Sequence, residues 1–594
     1  MRRTTRRSFH PVPAVAVGAL LVLTACDTGS GDVADRSGPV DEVGGGDDEP
    51  DAPQEPEALV ATTSAPAETA VLVGPGASER SVELSRALFA SAPVVVLAAP
   101  EQQLQAASAG AALGVPVLVD GEGVAAELER LGAQAVLALG AVADPGIDVV
   151  VPGDDAELAE LLGVPTTTVD ADQAVAGLSA FDPSAPQLLV PADGGDASSS
   201  TAEPDGTADP DDPDDTDAAT AGPDGAAATE APPAPLEADL DTLPATARPE
   251  PVAGTAVLTS GEEDDLAALG TALAAGATVV RAPDGDPRSS AESVQAVAGA
   301  APQVLLGLGE AFGDAETLTW RAATAATGVE LPGGGQLVLP GKTYVALYGT
   351  PSTGALGVLG EQPIEETVTR AEELAASYEG LTDQPVVPTL EIIATIASSS
   401  AGGDGNYSAE LPVEELRPLV DLAGEHGMYV VLDLQPGRTD FLTQAKHYQE
   451  LLELPHVGLA LDPEWRLRPD QVHLQQIGSV GLEEVNQVVT WLADLTRDNA
   501  LPQKVLVLHQ FQNRMIPEAN AVDRSRSEVA VLIHADGQGA QPDKQATWRA
   551  LHANAPDVEH WGWKNFYDED VPGPLSPEET MTLVDPVPDF ISYQ

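Results

Sequence analysis

A single cysteine, Cys26, serves a chain of 594 residues, so no internal disulfide can form. Basic residues are also scarce: 27 Lys and Arg face 94 Asp and Glu, a formal charge of -67. Such a chain repels nucleic acid and gains nothing from counterion release on it, and anionic partners are disfavoured in general. Long apolar runs are missing. The best, "PVPAVAVGALLVL", is well short of the roughly 18 to 20 residues that span a bilayer. G-x-S-x-G is absent, which removes the nucleophile elbow. The strand-to-helix turn "VGPGASE" lacks the third glycine of a dinucleotide fingerprint and no Walker lysine follows, so a plain turn is favoured and no cofactor is expected.

What is present begins at the N-terminus. "MRRTTRRSFH" is a basic leader, the short apolar run follows, and "LTAC" comes at once, the order of a secretory signal. Leu23, Thr24, Ala25 and Cys26, at the end of the signal segment 1–26, resemble the bacterial lipobox, which implies acylation of Cys26 and removal of the peptide that precedes it. The expectation is a lipid-anchored protein on the extracytoplasmic face of the cell membrane. Residues 27–68, rich in Gly, Asp, Glu, Pro, Ala and Thr, read as a disordered tether. Residues 196–250 read as the same material in more acidic form, either a linker or an insertion.

Residues 69–195 and 251–340 alternate short, wholly apolar runs ("APVVVLAAP", "VPVLVD", "AQAVLALG") with Ala/Leu-rich helical segments. Apolar strands between helices indicate doubly wound α/β regions with parallel sheets covered on both faces. The pattern partly recurs, "TAVLVGPG" at Thr69 with "TAVLTSGE" at Thr255, and "QAVLALGAVAD" at Gln134 with "QVLLGLGEAFGD" at Gln303. The stretch from Ala107 to Gly140, with "LGVPVLV" before "AAELERLGAQAVLALG", resembles the bacterial cell wall binding repeat of the second type, though the "DRYxTA" opening of that family is missing. The resemblance implies a wall-polysaccharide or peptidoglycan partner.

From residue 341 the composition changes. All eight tyrosines, five of the six tryptophans and every histidine except His10 lie there. Eight strand-like runs ("TYVALYGT", "VVPTLEIIA", "GMYVVLDLQ", "HVGLALDPE", "KVLVLHQF", "VAVLIHADG", "VEHWGWKNF", "PDFISYQ"), most of them separated by helical segments, predict a C-terminal (β/α)8 TIM-like barrel over 341–594. In such a barrel function sits at the C-terminal strand ends. Those ends carry Glu391, Asp433, Gln435, Asp462, Glu464, His509, Gln510, Asp536, Lys564 and Asn565.

Asp462 and Glu464 share a face if their strand persists that far, and two carboxylates in one pocket can have their pKa values driven apart. Glycoside hydrolysis needs that division. The bland alternative is a helix N-cap, since "DPE" is a good helix start. A D-x-E after a fourth barrel strand resembles the motif of family 25 and family 18 glycoside hydrolases, although "GLAL" stands where the chitinase-like motif has upstream acids. The resemblance implies Glu464 as general acid, with Asp462 or Asp433 as its partner. Trp465, Trp561, Trp563 and the nearby Phe566 and Tyr567 are candidates for stacking on sugar rings, and Gln435, His509, Gln510, Asp536, Lys564 and Asn565 for binding polar groups of the substrate. "HWGWKNFY" also reads as an ordinary core strand. A metal centre drawn from Asp433, Asp462, His509, His534 and Asp536 has no H-x-H or H-x-x-E-H spacing behind it, and no metal is expected. A silent, glycan-binding barrel is the second functional expectation.

Overall fold

The computed structural model describes residues 58–192, 236, 238–240 and 242–594. Cys26 with its lipobox, most of the first tether and the acidic stretch from 193 to 235 lie outside the described residues. No helix among the described residues is long and apolar enough to cross a membrane.

The N-terminal half is α/β with parallel sheets. In one sheet Val94–Ala98 lies between Val117–Val119 and Ala135–Leu139, with Asp148–Val150 beyond the latter. In the other, Thr255–Thr259 lies between Thr278–Arg281 and Val304–Leu308, with Ala70–Leu72 beyond the latter. The first three strands of the two sheets therefore repeat one order, while the fourth follows them along the chain in the first sheet and precedes them in the second. The echo between Gln134 and Gln303 falls on equivalent strands, whereas that between Thr69 and Thr255 falls on different positions of a single sheet. Alternation explains the apolar runs: Val95 and Leu97 enter one core, Val94, Val96 and Ala98 the other, so both faces are covered.

Helix Gln103–Leu113 packs against helix Leu266–Ala274, all nine residues of which are buried. A Cβ on Gly270 would lie 2.4 Å from the Cα of Ala107, so only glycine permits this approach. Buried Arg80, on helix Ala77–Leu88, bridges to Asp265 at 2.7 Å and to Glu262, both just before the second of these helices. The segments read as tethers are shorter than composition suggests. Leu59–Val60 pairs with Thr246–Ala247, and Thr62–Thr63 with Phe89–Ser91. Pairs this short are fixed by their distant partners, which local composition does not register.

The C-terminal half is a closed barrel of eight parallel strands: β1 (Thr343–Thr350), β2 (Val386–Ala397), β3 (Tyr429–Leu434), β4 (Val457–Leu461), β5 (Lys504–Gln510), β6 (Val529–Ala535), β7 (His560–Asn565) and β8 (Phe590–Tyr593), with β8 pairing back to β1. All eight expected runs contain a strand, in the expected order. Strand alternation divides each between two environments. Tyr344, Ala346, Val387, Tyr429, Val431, Ala460, Val505, Val507, Ala530, Leu532 and Phe590 fill the interior, with Leu331, Val338 and Leu339 joining them. Leu434, Leu461, Leu506, Leu508, Trp561, Trp563 and Tyr593 belong to the layer packed under the helices.

The α/β half meets the barrel through Arg288, which is fully buried. Its guanidinium pairs with Asp286 at 2.8 Å, donates to the Ser527 carbonyl at 3.2 Å and lies 4.5 Å from the centre of the Trp320 ring. Gln503, just before β5, accepts from Val338 N at 2.9 Å and donates to the same Ser527 carbonyl.

Candidate functional site

Beyond the apolar interior, each strand presents a polar side chain on the same inward face: Tyr348 on β1, Glu391 on β2, Asp433 on β3, Asp462 after β4, His509 on β5, His534 and then Asp536 on β6, Lys564 on β7 and Ser592 on β8. All are buried or nearly so apart from Asp536, and even its side chain is only 7% exposed. Gly562 makes room for this layer, because a Cβ there would come within 2.2 Å of the His534 ring.

His509 is the hub. Its Nε2 stands 2.7 Å from Glu391 Oε1 and 3.9 Å from Asp433 Oδ1, and its Nδ1 stands 3.1 Å from Asp536 Oδ2. Burial alone would neutralise this imidazole, but the charges of Glu391 and Asp536 and the bonds to them hold its pKa well above the ordinary histidine value. His534 behaves oppositely. Burial and the neighbouring His509 charge hold it well below the usual value. His534 Nδ1 lies 3.3 Å from His509 Nδ1, and its Nε2 lies 3.2 Å from Ser592 Oγ.

The carboxylates diverge. Burial pushes Glu464 up to about 7, with the nearby charge of Asp536 adding to it. Burial pushes Asp433 up to about 6, Glu391 adding to the effect while His509 opposes it. Asp462 is raised well above the carboxylate range by burial and by Asp433. Asp536 is held below its usual value: burial opposes ionisation, but the hydrogen bond and charge of His509 overcome it. Tyr348 donates from its hydroxyl to Asp433 Oδ2 at 2.8 Å and receives Gln435 Nε2 at 3.3 Å. Lys564 Nζ lies 3.4 Å from the centre of the Tyr348 ring, a cation over an aromatic face.

Strand β4 stops at Leu461, before the D-x-E pair. Asp462 is extended, and Pro463–Trp465 form a single tight turn whose Glu464 N–H donates to Asp462 Oδ1 at 3.1 Å. The capping alternative is thus present, and the same turn carries Glu464 to the edge of the buried layer. Glu464 and half-buried Trp465 line a cleft of about 370 Å³ with Leu474, Gln475, Gln476, Ile477 and Arg514. Trp465 is set edge-on to His473, ring centres 5.3 Å apart.

The structure brings together Asp433, Gln435, Asp462, Glu464, His509, Asp536 and Lys564, with Trp465 at the cleft. It does not bring the other four. Gln510 and Asn565 follow inward-facing residues and so point outward, Gln510 bonding to the Ile516 carbonyl and Asn565 receiving Trp563 Nε1. Trp561 and Trp563 are 3% and 1% exposed and pack on Trp548, which corrects the expectation that they offer sugar-stacking faces. "HWGWKNFY" supplies core aromatics; of its last residues Phe566 is buried and only Tyr567 is exposed. Tyr348, Ser592 and the roles of Glu391 and His534 were not anticipated. Counting alternate residues from the apolar interior of each strand locates all four.

Among the described residues, Glu391, His509 and His534 form the one trio whose ligand atoms all lie within 4.8 Å of one another. Both His509 nitrogens already face carboxylate oxygens, so the trio as it stands is a proton-holding network.

No protein-family model and no curated protein matches the chain. Among solved structures it is similar to Cwp6 from Clostridium difficile at 14% identity and a TM-score of 0.30, over 69% of this chain and 65% of that one. It is similar to concanavalin B at 12% identity and a TM-score of 0.26, over 42% of this chain and 93% of that one. Likeness of this degree assigns no activity, and the chemistry rests on the residues of the site.

Proposed function

We propose that the barrel is a glycoside hydrolase acting on a cell-wall or other envelope polysaccharide, with Glu464 as general acid. The observation that carries this reading is geometric: Glu464 lines the cleft at the edge of the buried layer, where burial pushes it up to about 7, while Asp536 pairs with His509 at 3.1 Å and is thereby held below the usual carboxylate value. As the glycosidic C–O bond breaks, protonated Glu464 gives its proton to the departing oxygen, and the ionised Asp536 in the buried layer behind the cleft supports the positive charge on the sugar. Water completes the hydrolysis, its hydroxyl going to the sugar carbon and its proton back to Glu464. Asp462, capping the Glu464 N–H, positions the acid. Asp433 stands deeper, with Tyr348 as its hydrogen-bond partner.

The same reading places the chain on the outer face of a membrane through an acylated Cys26, with the α/β half gripping wall polymer. A second reading, a barrel that holds a saccharide without cleaving it, is favoured by burial. Glu391 and Asp433 are fully buried, and of the acids only Glu464 lines the cleft.

The test is release of reducing ends from purified cell wall by the full chain and by Glu464→Gln. Release by the wild type and its loss by at least 100-fold in the variant supports the hydrolase. Undiminished release by the variant removes Glu464 as the acid, and no release by the wild type leaves the binding reading.

A further inference from the structure

The loops around Glu464 carry a concentration of arginine that is unusual in a chain with 27 basic against 94 acidic residues. Arg438 follows β3, Arg466 and Arg468 follow β4, and Arg514 follows β5. Arg466 is spent on structure: its Nε and Nη2 meet both oxygens of Glu484, at 2.9 and 3.2 Å. Arg466 is the one of the four with an ion pair among the described residues; Arg468 and Arg514 are exposed at the rim and Arg438 is half-buried. Arg438 is held open by stacking, its guanidinium 4.5 Å from the centre of the Tyr407 ring while Nη2 donates to the Gln471 carbonyl at 2.9 Å. Arg514 Nε donates to the neutral Gln512 at 2.6 Å.

These side chains line two clefts that share the loop of residues 466–481. Arg514 faces the cleft of about 370 Å³ that contains Glu464 and Trp465. Arg438 and Arg468 line the other, about 400 Å³, together with the Arg466–Glu484 pair, whose charges offset one another. Where acids are in more than threefold excess, an arginine without a carboxylate partner at the working end has charge to offer a ligand. Guanidinium groups make their strongest hydrogen bonds to carboxylate and phosphate.

Resting on the hydrolase reading of this cleft, we propose that its substrate class is an anionic saccharide. Acidic substituents, carboxylate or phosphate, meet Arg514 beside the acid and Arg438 and Arg468 further along the loop, while Trp465 gives the sugar ring its apolar face. The net charge of the chain opposes such a ligand at long range, but screening limits that repulsion to about 8 Å at physiological ionic strength, and recognition is local.

Binding tests this without requiring cleavage. Titration calorimetry on the full chain carrying Glu464→Gln would compare a uronic-acid oligosaccharide, the same oligosaccharide with its carboxyls reduced to alcohols, and a phosphorylated oligosaccharide. The expected result is at least tenfold tighter binding of one or both anionic forms than of the neutral one. Arg468→Gln and Arg514→Gln, added singly, should each weaken the anionic ligand 3- to 10-fold and leave the neutral one unchanged, and Trp465→Ala should weaken both alike. Whichever anionic ligand binds tighter identifies carboxylate or phosphate as the group recognised. Equal or tighter binding of the neutral form, no binding of any form, or indifference to both arginine substitutions overturns the proposal. Preference for anions without cleavage by the wild type would defeat the hydrolase reading and leave this one standing.

Discussion

His509 Nε2 lies 2.7 Å from Glu391 Oε1, both side chains being essentially inaccessible to water. A buried imidazolium survives only with compensating charge, and Glu391 and Asp536 provide it from two sides. Removing one member of such a buried pair leaves an uncompensated charge, at a cost of about 3–5 kcal/mol. His509→Gln is therefore expected to lower the thermal midpoint sharply, and Glu391→Gln to do the same. The double variant should recover part of the loss in a double-mutant cycle of chemical denaturation. Additive losses would show that the two do not interact.

The same network sets the pH profile. Glu464 must be protonated to act as an acid, and its pKa of about 7 means that activity should fall roughly tenfold per pH unit above that value. Asp536 is held below the usual carboxylate value by His509, so it brings no acid limb near 6. A limb at that pH would instead implicate Asp433, raised to about 6. Stability carries the same signature with a definite sign. The folded state retains a proton on Glu464 that the unfolded chain has lost, so this residue makes stability fall as pH rises from about 4.5 to 7. Glu464→Gln should remove that contribution, measured as the difference between the two proteins' melting temperatures across the window.

The two kinds of tryptophan should separate cleanly. Trp563 packs on Trp548 beneath the helices, and truncating such a core ring costs about 3–5 kcal/mol. Trp563→Ala should therefore reduce stability. Trp465 is half-buried on the cleft, and Trp465→Ala should raise KM by about tenfold with little change in melting temperature. The reverse pattern would restore a binding role to "HWGWKNFY".

How much of this was written in the sequence depends on the range of the interaction. The eight barrel strands were legible because each is an apolar run bounded by helix or turn signals, and the polar strand ends stood out against it. Asp433, Asp462, Glu464, His509 and Asp536 were found that way. Trp561 and Trp563 were misplaced because composition says that a strand is aromatic but not which face looks inward. Tyr348 was passed over because a tyrosine ending "TYVALYGT" looks like core until its neighbours across the barrel are known. The pairing of Leu59–Val60 with Thr246–Ala247 was illegible, since nothing within either dipeptide points to a partner so far along the chain.

The anchor is tested by fractionation. Cys26 is the sole thiol, so Cys26→Ser removes the only acceptor for a sulfur-linked lipid. The wild-type chain is expected to partition into the detergent phase of a membrane extract, and the variant into the aqueous phase. Equal partitioning would exclude acylation at Cys26.

Lys504 gives a last test, at the start of β5 and away from the strand ends that form the candidate site. It is wholly buried, its ammonium donates only to the Leu454 and Pro455 carbonyls, and burial lowers its pKa to about 7. In the unfolded chain the same amine titrates near 10.4. Between those values the unfolded state binds more protons than the folded one, so this residue makes stability rise with pH above about 7. Below that pH the folded state must bury an ammonium ion with no carboxylate paired to it among the described residues. Lys504→Met keeps the length of the side chain and removes the charge. It should raise the melting temperature at pH 6 and erase the lysine's contribution between pH 7 and 9.5. A variant that melts lower than the wild type at pH 6 would mean that the two carbonyl bonds outweigh the cost of the buried charge.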